Sequence, residues 1–284
     1  MKDVTKQYSM ELALDLPISI DGIVLYPIQL RNLIEYYSCS RIIKLEKAQI
    51  DLKYIKMSYY NFLCHYITTL SKSENQADKT MSNSCIVFFA SLFSLAIRAT
   101  ILPSFSYNEQ EKKGEIKLYE IDNSKIADNT QDVYKSATKV TTLTKENFDE
   151  IRAILIYQNE PNYIDYTQYS SDVQILIKQE EEKRRKKSKV TMEDKIDSVM
   201  ACTGWNMETI SNLTIRRFER IFERLCKKME YQITKTGVMS GLVSFKDNTQ
   251  LEHWTEEIKL DPLKDIFTDF NSVTKNMKGY MGQV

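Results

Sequence analysis

Thirteen residues, Cys85-Ile-Val-Phe-Phe-Ala-Ser-Leu-Phe-Ser-Leu-Ala-Ile97, run without a charge and are closed by Arg98; they form the most hydrophobic stretch of the chain. A membrane span needs about 20 such residues, so a run of this length is expected to be the buried core helix of a globular protein, and no membrane span is expected. Other elements must then supply apolar faces to cover it. The material for them is present, since 42% of the residues are hydrophobic and 27% charged. With only 7 glycines and 5 prolines in 284 residues, turn-dense sandwiches and glycine-rich phosphate cradles are disfavoured and long helices remain. The expected fold class is mainly α: a helical protein with small β-hairpins near the N-terminus and mid-chain.

The first hairpin is read from two β-prone runs, Leu16 to Ile20 and Ile23 to Tyr26, on either side of Asp21-Gly22, a dipeptide suited to a two-residue turn. Pro27 then suits a first helical position, with Leu30, Leu33, Ile34 and Tyr37 on one face. A helix from Tyr54 to Leu70 presents Tyr59, Phe62, Leu63, Tyr66, Ile67 and Leu70, and the polar stretch Ser71 to Ser84 reads as a surface loop. Pro103 is expected to end the core helix. Beyond it, Phe105 to Tyr107 and Glu115 to Tyr119 form a second hairpin around a charged turn. Asp122 to Lys139 reads as loop or irregular strand. Thr144 caps a further helix whose apolar face is Phe148, Ile151, Ile154 and Leu155, with Pro161 just beyond its end.

The turn-prone, aromatic segment Asn159 to Tyr169 marks a change of character. It divides the chain into a mixed helical and hairpin N-terminal domain, 1–160, and a helical C-terminal domain, 170–284, that opens with a linker helix over 172–188. In the linker, Glu180, Glu181 and Glu182 precede Arg184, Arg185 and Lys186 at i,i+4, the stabilising order for helical ion pairs. Thr191-Met-Glu-Asp194 fits a capping box, Gly204 a left-handed stop, Asn206 the cap of a short helix and Thr214 the cap of a long one. In that last helix Ile215, Phe218, Ile221, Phe222, Leu225 and Met229 form a stripe, with arginines and glutamates opposite.

Reactive chemistry is harder to find. The only histidines are His65 and His253, and the chain has no CxxC, HExxH, GxSxG, GxxxxGK[ST] or GxGxxG. No catalytic, cofactor-binding or metal-ligating residue is therefore expected, and the protein is read as a non-enzyme. Five scattered cysteines, Cys39, Cys64, Cys85, Cys202 and Cys226, suit reduced, buried thiols in a cytosolic setting. The polar start, Met1 to Met10, lacks the apolar core of a signal peptide. Balanced charge, 39 basic against 39 acidic residues, gives no global pull toward nucleic acid.

Two interaction modes remain. The 17 Tyr, 11 Phe and 2 Trp are of the kinds enriched where proteins meet, and Tyr163, Tyr166, Tyr169, Trp205 and Trp254 are the candidate partner-binding anchors. The alternative is a nucleic-acid-binding protein, in which a helix-turn-helix-like unit at 191–233 carries Arg216, Arg217 and Arg220 to DNA; the interleaved glutamates, which repel phosphates, make it the weaker reading.

The stretch from Met192 to Arg224 resembles a pattern in tailed-bacteriophage tail and baseplate assembly proteins. There a helix ending in Gly and an aromatic residue leads to a short helix and then to Leu-Thr opening a longer one; here these are Gly204-Trp205 and Leu213-Thr214. Leu16 to Ile28, and Thr144 to Ile151 with Tyr157-Gln-Asn159, are similar to phage proteins of low-GC Gram-positive hosts. The resemblance implies a virion structural protein or tail-assembly chaperone binding other tail or baseplate proteins. It would act in the host cytoplasm during assembly, with retention in the virion and oligomeric state left open.

Overall fold

The computed structural model describes residues 4–122, 134, 136–163, 190–240 and 253–256. Two short helices, α1 (Val4–Gln7) and α2 (Ser9–Leu14), lead into the hairpin of β1 (Ile18–Ile20) and β2 (Ile23–Leu25). Asp21 and Gly22 both have positive φ, 48° and 80°, which matches the turn twist to that of the strands. The expectation from Asp-Gly holds.

The apolar run becomes the second half of α6 (Gln76–Ile97), a helix of 22 residues. It packs against α3 (Leu33–Cys39), α5 (Tyr59–Lys72), the hairpin and a three-stranded antiparallel sheet of order β3-β4-β5: Thr100–Asn108, Lys113–Ile121 and Ala137–Leu143. Cys85, Phe89, Leu92, Phe93 and Ala96 are buried, while Met81, Val87 and Phe88 on the other side stay exposed. Phe89 organises the centre: it stacks on Phe93 at 4.4 Å and meets Phe105 edge-on at 5.0 Å. The Tyr60 hydroxyl donates to Leu143 O at 2.8 Å and accepts from Ile116 N at 3.1 Å, so one α5 side chain ties together β4 and β5.

The chain is mainly helical, but its β content exceeds a pair of small hairpins. The mid-chain hairpin is longer than expected and gains a third strand, β5, from a stretch whose polar composition hides it. Pro103 does not end the core helix. Arg98 does, in the left-handed conformation, with its guanidinium carbon 4.3 Å from the centre of the Tyr26 ring. Pro103 sits inside β3, at the sheet edge, where a residue without an N–H is tolerated. The expected loop Ser71 to Ser84 is mostly the first turns of α6, capped by Asn75 and carrying few apolar markers because they face water. Tyr54 belongs to a separate 3₁₀ turn, and α5 starts after Ser58. Near Pro27, a 3₁₀ turn at Leu30–Asn32 and another at Ser40–Ile43 flank α3. The first 3₁₀ turn sets Leu30 and Leu33 on one side, and α3 continues that buried side with Tyr36 and Cys39, leaving Ile34 83% exposed.

A short α4 (Lys47–Ile50) lies between the second 3₁₀ turn and α5, and α7 (Lys145–Tyr157) returns through the core behind a capping box formed by Thr144 and Asn147. The later helices appear where their caps place them: α8 (Met192–Thr203) after the Thr191–Asp194 capping box, α9 (Met207–Asn212) after Asn206, and α10 (Ile215–Met239) after Thr214. Gly204 ends α8 with φ 73°. Their buried residues, Val199, Ile210, Ile215 and Phe218, are part of the same continuous core as α5, α6 and α7. The linker helix expected over 172–188 lies outside the described residues, as do the tail from Asp261 and the turn chemistry from Phe245 to Thr249.

Candidate protein-interaction surface

Helix α10 is rooted at its first turns. The strand-like segment Ile28 to Leu30 forms the socket: Leu30 N donates to Leu213 O at 2.7 Å and Ile215 N donates to Ile28 O at 2.9 Å. Ile28 N in turn donates to the buried Asn159 side chain at 2.9 Å, which connects the socket to the end of α7. Ile215 and Phe218 fill the space beneath and are fully buried.

The polar side of the same turns holds protein groups. Arg216 donates to Tyr157 O at 2.6 Å. Burial and the neighbouring Arg220 push its pKa down to about 10, partly offset by Asp15, so it remains a cation at neutral pH. Arg217 pairs with Asp15 at 2.9 Å and also donates to Ala13 O. Glu219 pairs with Lys195 of α8 at 2.8 Å, and Glu223 accepts from Asn162. Arg224 donates to Trp254 O at 2.7 Å and to Glu256 O at 2.5 Å. Of the three arginines considered for DNA, Arg216 and Arg217 are thus engaged with the body of the protein. Arg220 is half-buried beside Arg216.

The aromatic candidates fall in different places. Trp205 follows the α8 stop and is 38% exposed. Trp254 is half-buried along α10, its ring 5.8 Å from the Lys228 ammonium. Tyr163 packs at the edge of the core under Lys44, 5.9 Å from its ring centre. Tyr166 and Tyr169 lie outside the described residues.

His65 is half-buried among aromatic and polar groups: Nδ1 lies 3.1 Å from the Tyr54 hydroxyl and Nε2 3.3 Å from Glu109, with the Tyr107 ring edge-on at 4.8 Å. His253 meets Tyr231 at 5.0 Å and bonds Thr255 at 2.7 Å. No cluster of metal-ligating side chains occurs among the described residues. Burial pushes the thiols of Cys39 and Cys64 up to about 12 and that of Cys85 to about 11, which keeps them protonated and poor nucleophiles. The expectation of buried cysteines fails at Cys202 and Cys226, which are exposed on α8 and α10 because those helices are covered on one side only.

The stripe read from the sequence undervalues the far half of α10. It stops at Met229, yet the apolar pattern continues through Ile233 to Met239 on a part of the helix that no longer rests on the core; the three are 53%, 71% and 79% exposed. The signal was available, because the helical spacing does not stop at Met229. The anchors Asp15, Asn159 and Tyr157 O carried no such signal, since their partners lie far away in the chain.

Residues 183–259, about a quarter of the chain, match the family described as the YomV second domain. This is a phage-associated domain, and the match points to a phage-derived protein. The matched stretch includes α8, α9 and α10. No curated protein and no solved structure matches the chain.

Proposed function

We propose that this is a phage structural or assembly component that acts through protein–protein contacts and carries out no reaction, working in the host cytoplasm during construction of a tail or baseplate. The observation that carries the reading is the state of α10. Within the stretch matched to a phage-associated domain, the helix is clamped at one end by Phe218, Arg216 and Arg217 and offers bare apolar side chains at the other. An exposed apolar row on a helix held rigid at its root is suited to receiving another protein at little ordering cost.

The test is affinity purification of the tagged full chain from cells in which the phage is assembling, with nuclease added. Recovery of a tail or baseplate protein, lost when Met229 and Ile233 are both changed to Glu, is the expected result. Recovery of nucleic acid when nuclease is left out, with an affinity that falls steeply with salt and depends on Arg220, would replace this reading by the helix-turn-helix one. Mass spectrometry of purified particles separates a component that stays in the virion from one that leaves.

A further inference from the structure

Helices α8 and α10 meet along one side of each. Lys195 of α8 pairs with Glu219 of α10 at 2.8 Å, and its ammonium stands 5.3 Å from the centre of the Phe222 ring, which fixes where the two helices are level. Cys202 comes seven residues after Lys195, and Cys226 comes seven residues after Glu219. Seven residues are two helical turns less about 20°, so each thiol stands on the same side of its helix as the residue of the ion pair. Both cysteines are exposed, whereas Cys39, Cys64 and Cys85 are buried on α3, α5 and α6.

The relative direction of the helices decides whether these equal offsets bring the thiols together. Antiparallel helices would carry them about 20 Å apart, because each runs on about 10 Å from the ion pair. Helices running the same way set them side by side. The surroundings of Cys226 match the second case: burial and Glu223 raise the pKa of its thiol, Lys195 opposes them, and the Cys202 sulfur adds to the rise, so the two sulfurs are neighbours. Cys202 also occupies the last turn of α8, two residues before Gly204 closes it, and a helix end of this kind yields readily enough to bring the sulfurs to bonding distance.

We infer that Cys202 and Cys226 form a paired-thiol site that a small-molecule disulfide converts to an intramolecular disulfide, fixing α8 to α10. The inference is independent of any role in a tail. One protein thiolate attacks the small disulfide, releasing a small thiol and leaving a mixed disulfide; the other then attacks the protein sulfur of that bond and releases a second small thiol. Two electrons pass from the protein sulfurs to the oxidant, and the two protons lost by the protein end on the small thiols. In a reducing compartment the pair stays open, and in an oxidising one it closes.

The test is incubation of the folded full chain with oxidised glutathione, alkylation of the remaining thiols and mass spectrometry of a non-reduced digest. A Cys202–Cys226 link within one chain is expected, formed faster as pH rises because more of the Cys226 thiol is then ionised. Cys39, Cys64 and Cys85 should be alkylated only after unfolding. Cys202→Ser and Cys226→Ser, both exposed positions, should each fold and keep one glutathione adduct on the cysteine that is left. The linked protein should melt roughly 5 °C above the reduced one, and that rise should vanish in either variant. Separate glutathione adducts on both cysteines of the unaltered chain, or a link between two chains, overturns the inference. A linked protein that melts no higher than the reduced one overturns the fixing of α8 to α10.

Discussion

Gly114→Ala tests the packing of the sheet on α5 at a single atom. Gly114 is the second residue of β4, opposite Tyr107, and a Cβ added there would lie 2.5 Å from both Cβ and Sγ of the fully buried Cys64 and 3.4 Å from the Asn61 side-chain oxygen. Carbon atoms settle at about 3.5 to 4.0 Å, so the strand or the helix must move by about 1 Å. Neither Cβ can rotate away, because each is fixed to its backbone. The shift also strains the bonds from Gly114 N to Asn61 at 3.2 Å and from Asn61 to Lys112 O at 3.3 Å. Overpacking of this kind costs about 1 to 3 kcal/mol and a weakened hydrogen bond about 1, against about 0.5 to 1 kcal/mol regained by removing a glycine from a strand. The expected net loss is about 2 kcal/mol, or roughly 4 to 8 °C in melting temperature.

Urea denaturation followed by circular dichroism should show the midpoint falling with the slope unchanged. A double-mutant cycle locates the cause. Cys64→Gly removes both offending atoms, so the pair should be less destabilised than the sum of the singles by about 1 to 2 kcal/mol. Gly22→Ala is the contrasting case: nothing lies within 4 Å of the added atom, and its cost, about 1 kcal/mol, arises from the positive φ alone and should show no coupling to Cys64. A Gly114→Ala midpoint equal to wild type, or zero coupling with Cys64, would refute the close approach of β4 to α5.

Phe218→Ala should cost about 3 to 5 kcal/mol, because the ring is fully buried where α10 meets the body. Tryptophan fluorescence and far-ultraviolet circular dichroism should then shift together in a denaturant titration; a loss below about 1 kcal/mol would mean that α10 is not seated as described. Thr144→Ala removes one half of a capping box, whose bonds measure 3.2 Å and 2.8 Å, and should destabilise by about 1 kcal/mol, read from the same titration. Burial raises the pKa of Asp149 above its ordinary value, partly countered by Arg152, Lys47 and Lys145. The native state therefore holds that proton more tightly than the unfolded chain, so this group's contribution favours folding at low pH and is lost as pH rises through its native pKa. Asp149→Asn should raise stability at neutral pH and leave it less pH-dependent across the carboxylate range; an unchanged profile would refute the assignment.

The legible parts of the fold are those determined within a few residues of chain. Asp21-Gly22 sets its own turn, and Thr144, Thr191, Asn206 and Thr214 cap helices through side-chain oxygens that accept from the amide three residues on. The apolar run ending at Ile97 likewise declares a helix that must be covered, whatever covers it. The errors share a different origin. Ile34 and Tyr37 read as part of one helical face with Leu30 and Leu33, yet flanking 3₁₀ turns shifted the phase and left Ile34 and Tyr37 exposed, and the polar first turns of α6 carry no periodic mark because water is their partner.

For the interaction surface, the residues were visible and their availability was not. In sequence Arg216 belongs to the polar side of the helix and Met229 to its apolar stripe. Whether each is engaged depends on carbonyls, carboxylates and rings contributed from far away in the chain: Tyr157 O takes Arg216 and Asp15 takes Arg217, while nothing among the described residues buries Met229 or Ile233. Sequence by itself determined the helices, their caps and the apolar columns along them, since those follow from local backbone bonding and the helical repeat. Only the tertiary structure decided which stretch of a column is core and which is left bare, because burial depends on what the remainder of the chain brings against it.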